Sequence, residues 1–283
     1  MLTLDAFIES IDYLPPMPRN VTALINLLHR TDIDVDQVVA LVQYDPALTA
    51  QVIRLCNSAY FGSAPAADLH EATARIGYYE ILQLVVALST AALMCPQQKG
   101  YGIEVGELWK HSVTAAIVGK FVAADLEGDA PLVFTACMLH DLGKVALSRS
   151  LEAKYDDVVA ETKRCQSPML VVERKLLGFD HAEVGGRLLE RWNFPAELVQ
   201  AVRFHHDPAA APEHAQVAAY AYLGNMIACF MGLGCGHQAL AFQGRAEALD
   251  LIGTTPERIP GYMAKAFYAL RDTEALLCFP FGK

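Results

Sequence analysis

Positive charge is what this chain has least of. Only 19% of its 283 residues are charged, with 22 basic against 32 acidic side chains and a net charge of -10. Sequence-independent affinity for nucleic acid comes mostly from Lys and Arg contacts to phosphates. That balance, with no basic stripe in the chain, excludes a general nucleic-acid binder. Paired cysteines are also missing. The seven cysteines (Cys56, Cys95, Cys137, Cys165, Cys229, Cys235 and Cys278) are odd in number, scattered, and contain no CxxC. A disulfide framework is therefore excluded in favour of buried, reduced thiols in a cytoplasmic protein. The N-terminus carries Asp5, Glu9 and Asp12 instead of a basic region followed by an apolar one, so no signal peptide is expected. There is no internal repeat, no low-complexity tail and no alternating strand pattern with a hairpin turn.

Apolar residues are abundant, at 53% with a mean hydropathy of +0.25. The length fits one or two domains and is ample for a sizeable core. Two uncharged stretches, 81–98 and 215–244, reach the ~20 residues that a membrane span needs. Gln83, Ser89, Thr90 and Pro96 interrupt the first, and Asn225, His237 and several Gly and Gln residues the second. Both read as helices buried on all sides in a helical core, with no membrane contact.

The apolar spacing is helical almost throughout, which predicts an all-α fold. Leu14-Pro15-Pro16-Met17-Pro18 is an extended lead-in to a helix over 19–29. Asp34 caps a short helix through Val38, Val39 and Val42. Asp45-Pro46 opens the next, which Asn57-Ser58 ends. Gly77 divides the helical stretch 71–93. Residues 96–100, polar and containing Pro and Gly, mark the expected boundary between a lobe of residues 1–97 and a lobe of residues 98–283. Further helices are predicted over 108–126, 131–141 and 153–164. Asp180-His181-Ala182-Glu183 is a capping box, and Asn193-Phe194-Pro195 stops its helix. Another helix runs up to His205-His206, one spans 214–231, and a last one spans 263–270 after a loop.

The chemistry concentrates in Cys137-Met138-Leu139-His140-Asp141-Leu142-Gly143-Lys144. An imidazole and a carboxylate side by side are two ligands for one divalent metal. Lys144, one helical turn on, can meet an anionic oxygen such as a phosphate. Of the nine histidines, His111, His140, His181, His205 and His206 sit at or near predicted helix ends. Helix ends meeting in one cavity is how bundles build metal sites. A histidine on a helix is nonetheless more often a hydrogen-bonded core or surface residue, and His29, His70, His214 and His237 are left to that reading. His205-His206 can also be a polar helix end, and Lys144 a solvated charge.

The second half resembles the HD superfamily of metal-dependent phosphohydrolases: a histidine, then His-Asp, then a distal acidic residue. The first half narrows the match. Leu14-Pro15-Pro16-Met17-Pro18, the run from Val39 to Thr49, Leu55-Cys56-Asn57-Ser58-Ala59-Tyr60-Phe61 and Ala74-Arg75-Ile76-Gly77 resemble the HDOD family, the HD-related output domain. So do His181-Ala182-Glu183-Val184-Gly185, Trp192, Pro195 and His205-His206. The likeness covers about residues 10–230. It implies an HD-like helical lobe packed on an N-terminal helical lobe, acting in bacterial signal transduction, in a family generally regarded as non-hydrolytic.

His111, His140, Asp141, Lys144, His181, His205 and His206 also stand at positions resembling the HD-GYP phosphodiesterases, which cleave cyclic di-GMP. Two departures weigh against that activity. Asn225 stands where the distal acidic ligand is expected, and a neutral amide binds a divalent ion more weakly than a carboxylate. After His206 the chain reads Asp207-Pro208-Ala209, without a GYP segment. The leading expectation is a regulatory module with a metal-capable site, holding one or two ions of Fe, Mn, Zn or Ni and engaging a signalling protein partner. Any sensor is expected to be a separate protein. The alternative is a phosphohydrolase acting on a nucleotide or cyclic dinucleotide. There His111, His140 and Asp141, assisted by Asn225, hold one metal, and His181, His205 and His206 a second. Lys144 then stabilises developing charge.

Overall fold

Side-chain caps start many of the helices in the computed structural model, which describes residues 3–12, 14, 17–27, 33–57, 66–165, 168–234 and 244–277. Thr3 opens α1 (Leu4–Ser10) and precedes α2 (Arg19–Leu27). Asp34 accepts from Asp36 N to open α3 (Val35–Gln43), and Asp45 accepts from Ala47 N and Leu48 N to open α4 (Pro46–Cys56). Asp68 caps α5 (Leu69–Ile76). At Gly77 (φ 88°, ψ 149°) the chain turns through 113° into α6 (Tyr78–Met94). That backbone conformation is open essentially to glycine alone. A connector then carries a 3-10 turn at Lys99–Tyr101 and a single bridge between Gln98 and Ile103.

The second half comprises α7 (Glu107–Asp125), α8 (Ala130–Leu139), α9 (Leu142–Glu152), α10 (Tyr155–Cys165) and α11 (Met169–Leu177). It continues with α12 (His181–Arg191), α13 (Ala196–Arg203), α14 (Ala215–Phe230), α15 (Ala246–Ile252) and α16 (Ile259–Leu277). The fold is all-α, with no strand among the described residues. The central helices α7, α8 and α14 bury nearly every side. This accounts for the lack of one-sided patterning in their sequences. The stretch Ala130–Glu152 is apolar and long enough to pass for a membrane span, yet 83% of its apolar window is buried inside the fold.

One apolar core runs through both halves. Across the halves Trp109 Nε1 donates to Ala87 O at 3.0 Å, and Lys120 Nζ reaches Glu80 Oε1 at 2.6 Å and Gln83 Oε1 at 2.7 Å. Arg187 Nε pairs with Asp5 Oδ1 at 2.7 Å, and Arg191 donates to Ile8 O at 2.7 Å. Cys56, Cys95, Cys137 and Cys229 are free thiols, the first three buried.

Four helices depart from the sequence expectation. Helix α9 begins directly after His140-Asp141, so the pair joins two helices and does not simply end one. Helices α11 and α15 occupy stretches for which the sequence reading placed no helix. Helix α16 begins at Ile259, ahead of the expected residue 263, because Pro260 fits the first turn of a helix. Pro15-Pro16, His29, Ser58-Ala59-Tyr60-Phe61, Cys235, His237 and Cys278 lie outside the described residues.

A Cβ at Gly77 would have no atom within 4 Å, so a substitution there strains only the backbone. Gly77→Ala is expected to lower stability by about 1–3 kcal/mol in urea unfolding. An unchanged midpoint would show that the turn relaxes freely.

Candidate metal centre

Helix junctions bring the metal-capable side chains to one place. His140 caps the C-terminal end of α8 and Asp141 is the residue that opens α9, while His181 is the first residue of α12. His205 and His206 follow the end of α13, and His111 lies in the second turn of α7. Helices α9 and α12 touch at Gly143, where any Cβ would overlap His181 O and lie 2.8 Å from Gly185 N. Only glycine lets the two helix starts, and with them Asp141 and His181, approach this closely.

The ligand atoms form two groups, His111/His140/Asp141 and His181/His205/His206, each with its atoms within 4.8 Å of one another. Asp141 faces both. Its Oδ2 lies 3.4 Å from His111 Nε2 and 3.3 Å from His140 Nε2, and its Oδ1 lies 3.4 Å from His181 Nε2 and 3.8 Å from His205 Nε2. Lys144 Nζ donates to Asp141 Oδ2 at 2.6 Å. Apart from half-buried His206, these residues are all buried. Lys144 thus sits in the first turn of a buried helix start, not on a solvated helix end.

Four of the inward rings are held from behind. His111 Nδ1 lies 2.9 Å from Leu233 O, His140 Nδ1 2.6 Å from Cys137 O, and His205 Nδ1 2.7 Å from Val202 O. Carbonyl oxygens only accept, so these Nδ1 atoms carry the proton and Nε2 turns a lone pair inward. His181 Nδ1 meets Glu173 Oε2 at 2.8 Å. Burial pushes the His140 imidazole below its usual pKa against the pull of Asp141, and takes His205 and His206 well below theirs. Burial also opposes ionisation of Asp141, but His140 and Lys144 beside it hold its carboxyl well below the carboxylate range. At His181 burial is outweighed by Glu173, and its pKa is raised.

This donor set fits a divalent transition ion. Nε2 atoms lie 3.2 Å apart between His111 and His140, and 3.0 Å apart between His181 and His206. Facing lone pairs at that range repel unless a proton or cation lies between them. Asp141 Oδ1 and His205 Nε2 are buried without a hydrogen bond, a costly state that a bound cation would relieve. Five imidazoles and one carboxylate suit Fe, Mn, Zn or Ni.

Of the residues expected at the site, His111, His140, Asp141, Lys144, His181, His205 and His206 converge. Asn225 is buried on α14, where its Oδ1 accepts from Cys229 Sγ at 3.5 Å within the same helix. Two residues were not anticipated. Glu173 on α11 is wholly buried, accepts from His181 N at 2.8 Å and binds the His181 ring, and Tyr101 OH donates to its Oε1 at 2.8 Å. A signal for Glu173 was present: it shares the buried face of α11 with Met169 and Val172, and a carboxylate on an apolar face needs partners.

An all-helical fold whose helix ends converge on a His-Asp pair defines an HD-type protein. The chain belongs to the HDOD domain family, which it matches over residues 14–208. It is 26% identical over 213 residues to an uncharacterised protein of Treponema pallidum, covering 72% of this chain and 40% of that one. It is 32% identical over 99 residues to Ribonuclease Y of Thermus thermophilus, covering 35% of this chain and 12% of that protein. The chain therefore spans less than half the length of either relative. Similar solved structures include an HDOD domain protein of unknown function from Geobacter sulfurreducens, with TM-score 0.70, 21% identity, and coverage of 97% of this chain and 95% of that one. A candidate signal transduction protein from Marinobacter aquaeolei has TM-score 0.78, 21% identity, and coverage of 97% and 65%.

Asp141 and Lys144 form a buried ion pair, so removing one partner strands the other. Asp141→Ala is expected to destabilise the metal-free protein by about 3–5 kcal/mol in urea unfolding, and Lys144→Met added to it to restore part of that loss. Equal stability of the single and double variants would contradict the pairing.

Proposed function

We propose that the chain is a bacterial, cytoplasmic signal-transduction output module with a non-hydrolytic metal centre. Residues 98–283 hold one or two divalent transition ions, and residues 1–97 engage a signalling protein partner. The observation that carries this reading is the closure of the cluster. His111, His140, Asp141, His181 and His205 are at most 1% exposed, and only His206 among the ligands is half-buried. A phosphoester substrate needs open coordination positions, whereas a closed site suits an ion that braces the ends of α8, α9, α12 and α13. Asn225 supports the same reading, since an amide in place of a carboxylate leaves the site with less negative charge. So does the segment after His206, where Asp207 leads into a 3-10 turn at Pro208–Ala210.

One observation favours a second reading, a metal-dependent phosphohydrolase acting on a nucleotide or cyclic dinucleotide. Asp141 presents a different oxygen to each histidine group, and a shared carboxylate suits a pair of ions. Such ions supply Lewis-acid polarisation of a phosphoryl oxygen, and Lys144 adds a nearby positive charge.

Protein loaded in turn with Mn, Fe, Zn and Ni separates the two when assayed with bis(p-nitrophenyl) phosphate and cyclic di-GMP. No turnover above the metal-free baseline is expected, and Asn225→Asp is expected to tighten metal binding without creating turnover. Hydrolysis that disappears in Asp141→Asn would establish the second reading instead.

A further inference from the structure

We infer that Glu173 is a positioning residue of the metal centre, held in place by Tyr101 of the connector between α6 and α7. This rests on the metal-binding reading of the cluster. Glu173 is 0% exposed and receives the His181 ring, the His181 backbone N–H and the Tyr101 hydroxyl, all at 2.8–2.9 Å. With three donors on one carboxylate, neither the Glu173 rotamer nor the His181 ring has another way to satisfy its polar atoms out of water. Glu173 therefore sets which nitrogen of His181 points inward, and its charge makes that nitrogen a better electron donor.

Tyr101 makes the arrangement more than a local clamp. It is 3% exposed and lies in the 3-10 turn of the connector, whose neighbouring Gly100 N donates to Ser148 Oγ at 3.3 Å. A Cβ on Gly100 would overlap Ser148 O of α9. The connector thus touches the site twice: through Tyr101 to Glu173 and His181, and through Gly100 to α9, the helix that Asp141 opens. His181 is the ligand that approaches both Asp141 Oδ1 and His206 Nε2, so its orientation sets the geometry of the second histidine group and its distance from the first.

The test is metal affinity, read by competition with a chromophoric chelator using Zn and Mn, for wild type, Glu173→Gln, Tyr101→Phe and the double variant. Val172→Ala is the control, because Val172 is buried on the same helix and its side chain makes none of the hydrogen bonds that hold His181. Glu173→Gln is expected to weaken metal binding about 10–100-fold, and Tyr101→Phe by less. The double variant is expected to be no weaker than Glu173→Gln, because Tyr101 acts only through Glu173. Val172→Ala is expected to lower stability and leave affinity unchanged. Tyr101→Phe and the control keep the test informative if Glu173→Gln does not fold. Wild-type affinity in Glu173→Gln, additive losses in the double variant, or an equal loss in Val172→Ala would each overturn the positioning role. A wild type that takes up neither metal would overturn the metal-centre reading itself.

Discussion

The carboxylate of Asp141 is the constraint on which the rest of this site depends. It is wholly buried and ionised, with histidines on both of its oxygens and Lys144 on one of them. An ionised carboxylate is tolerated in such a place only when opposing charge surrounds it. Lys144 supplies one positive charge, and the histidines, mostly held neutral by burial, supply lone pairs that a cation would organise. The arrangement is half of an electrostatic balance that a divalent ion would complete.

The fold exists to bring helix ends to that carboxylate. Asp141 stands at the α8–α9 junction, His181 at the start of α12, and His205-His206 just past α13. Gly143 permits the close approach of α9 and α12, and the capping box of Asp180 and Glu183 fixes where α12 begins. Residues beyond the helices that carry the ligands then tune them: Leu233 O behind His111, and Glu173 of α11 and Tyr101 behind His181. The connector and the candidate metal centre are parts of one hydrogen-bonded unit.

Much of this was legible in the sequence because it depends on local chemistry. Asp34, Asp45 and Asp180 cap the helices they were expected to cap, and Gly77 breaks the chain where expected. The seven converging site residues could be named because they stand at positions resembling the HD and HD-GYP patterns, whereas spacing alone singled out only the His-Asp pair. Helix α9 escaped because nothing polar separates it from α8 except the ligands themselves. Glu173 escaped because its importance is tertiary: it is a single acid in the short α11, and its partners Tyr101 and His181 come together only in the folded chain. Asn225 matches the expected position on α14 while bonding within its own helix, so the resemblance gave its place and not its contacts.

In the proposed metal centre Asp141 is shared between two histidine groups around bound metal. Anomalous diffraction from a crystal of the Zn- or Mn-loaded protein tests it most directly. Anomalous density is predicted against Asp141, with one peak among His111 and His140, one among His181, His205 and His206, or both. Density elsewhere on the molecule, or none after loading, would contradict it.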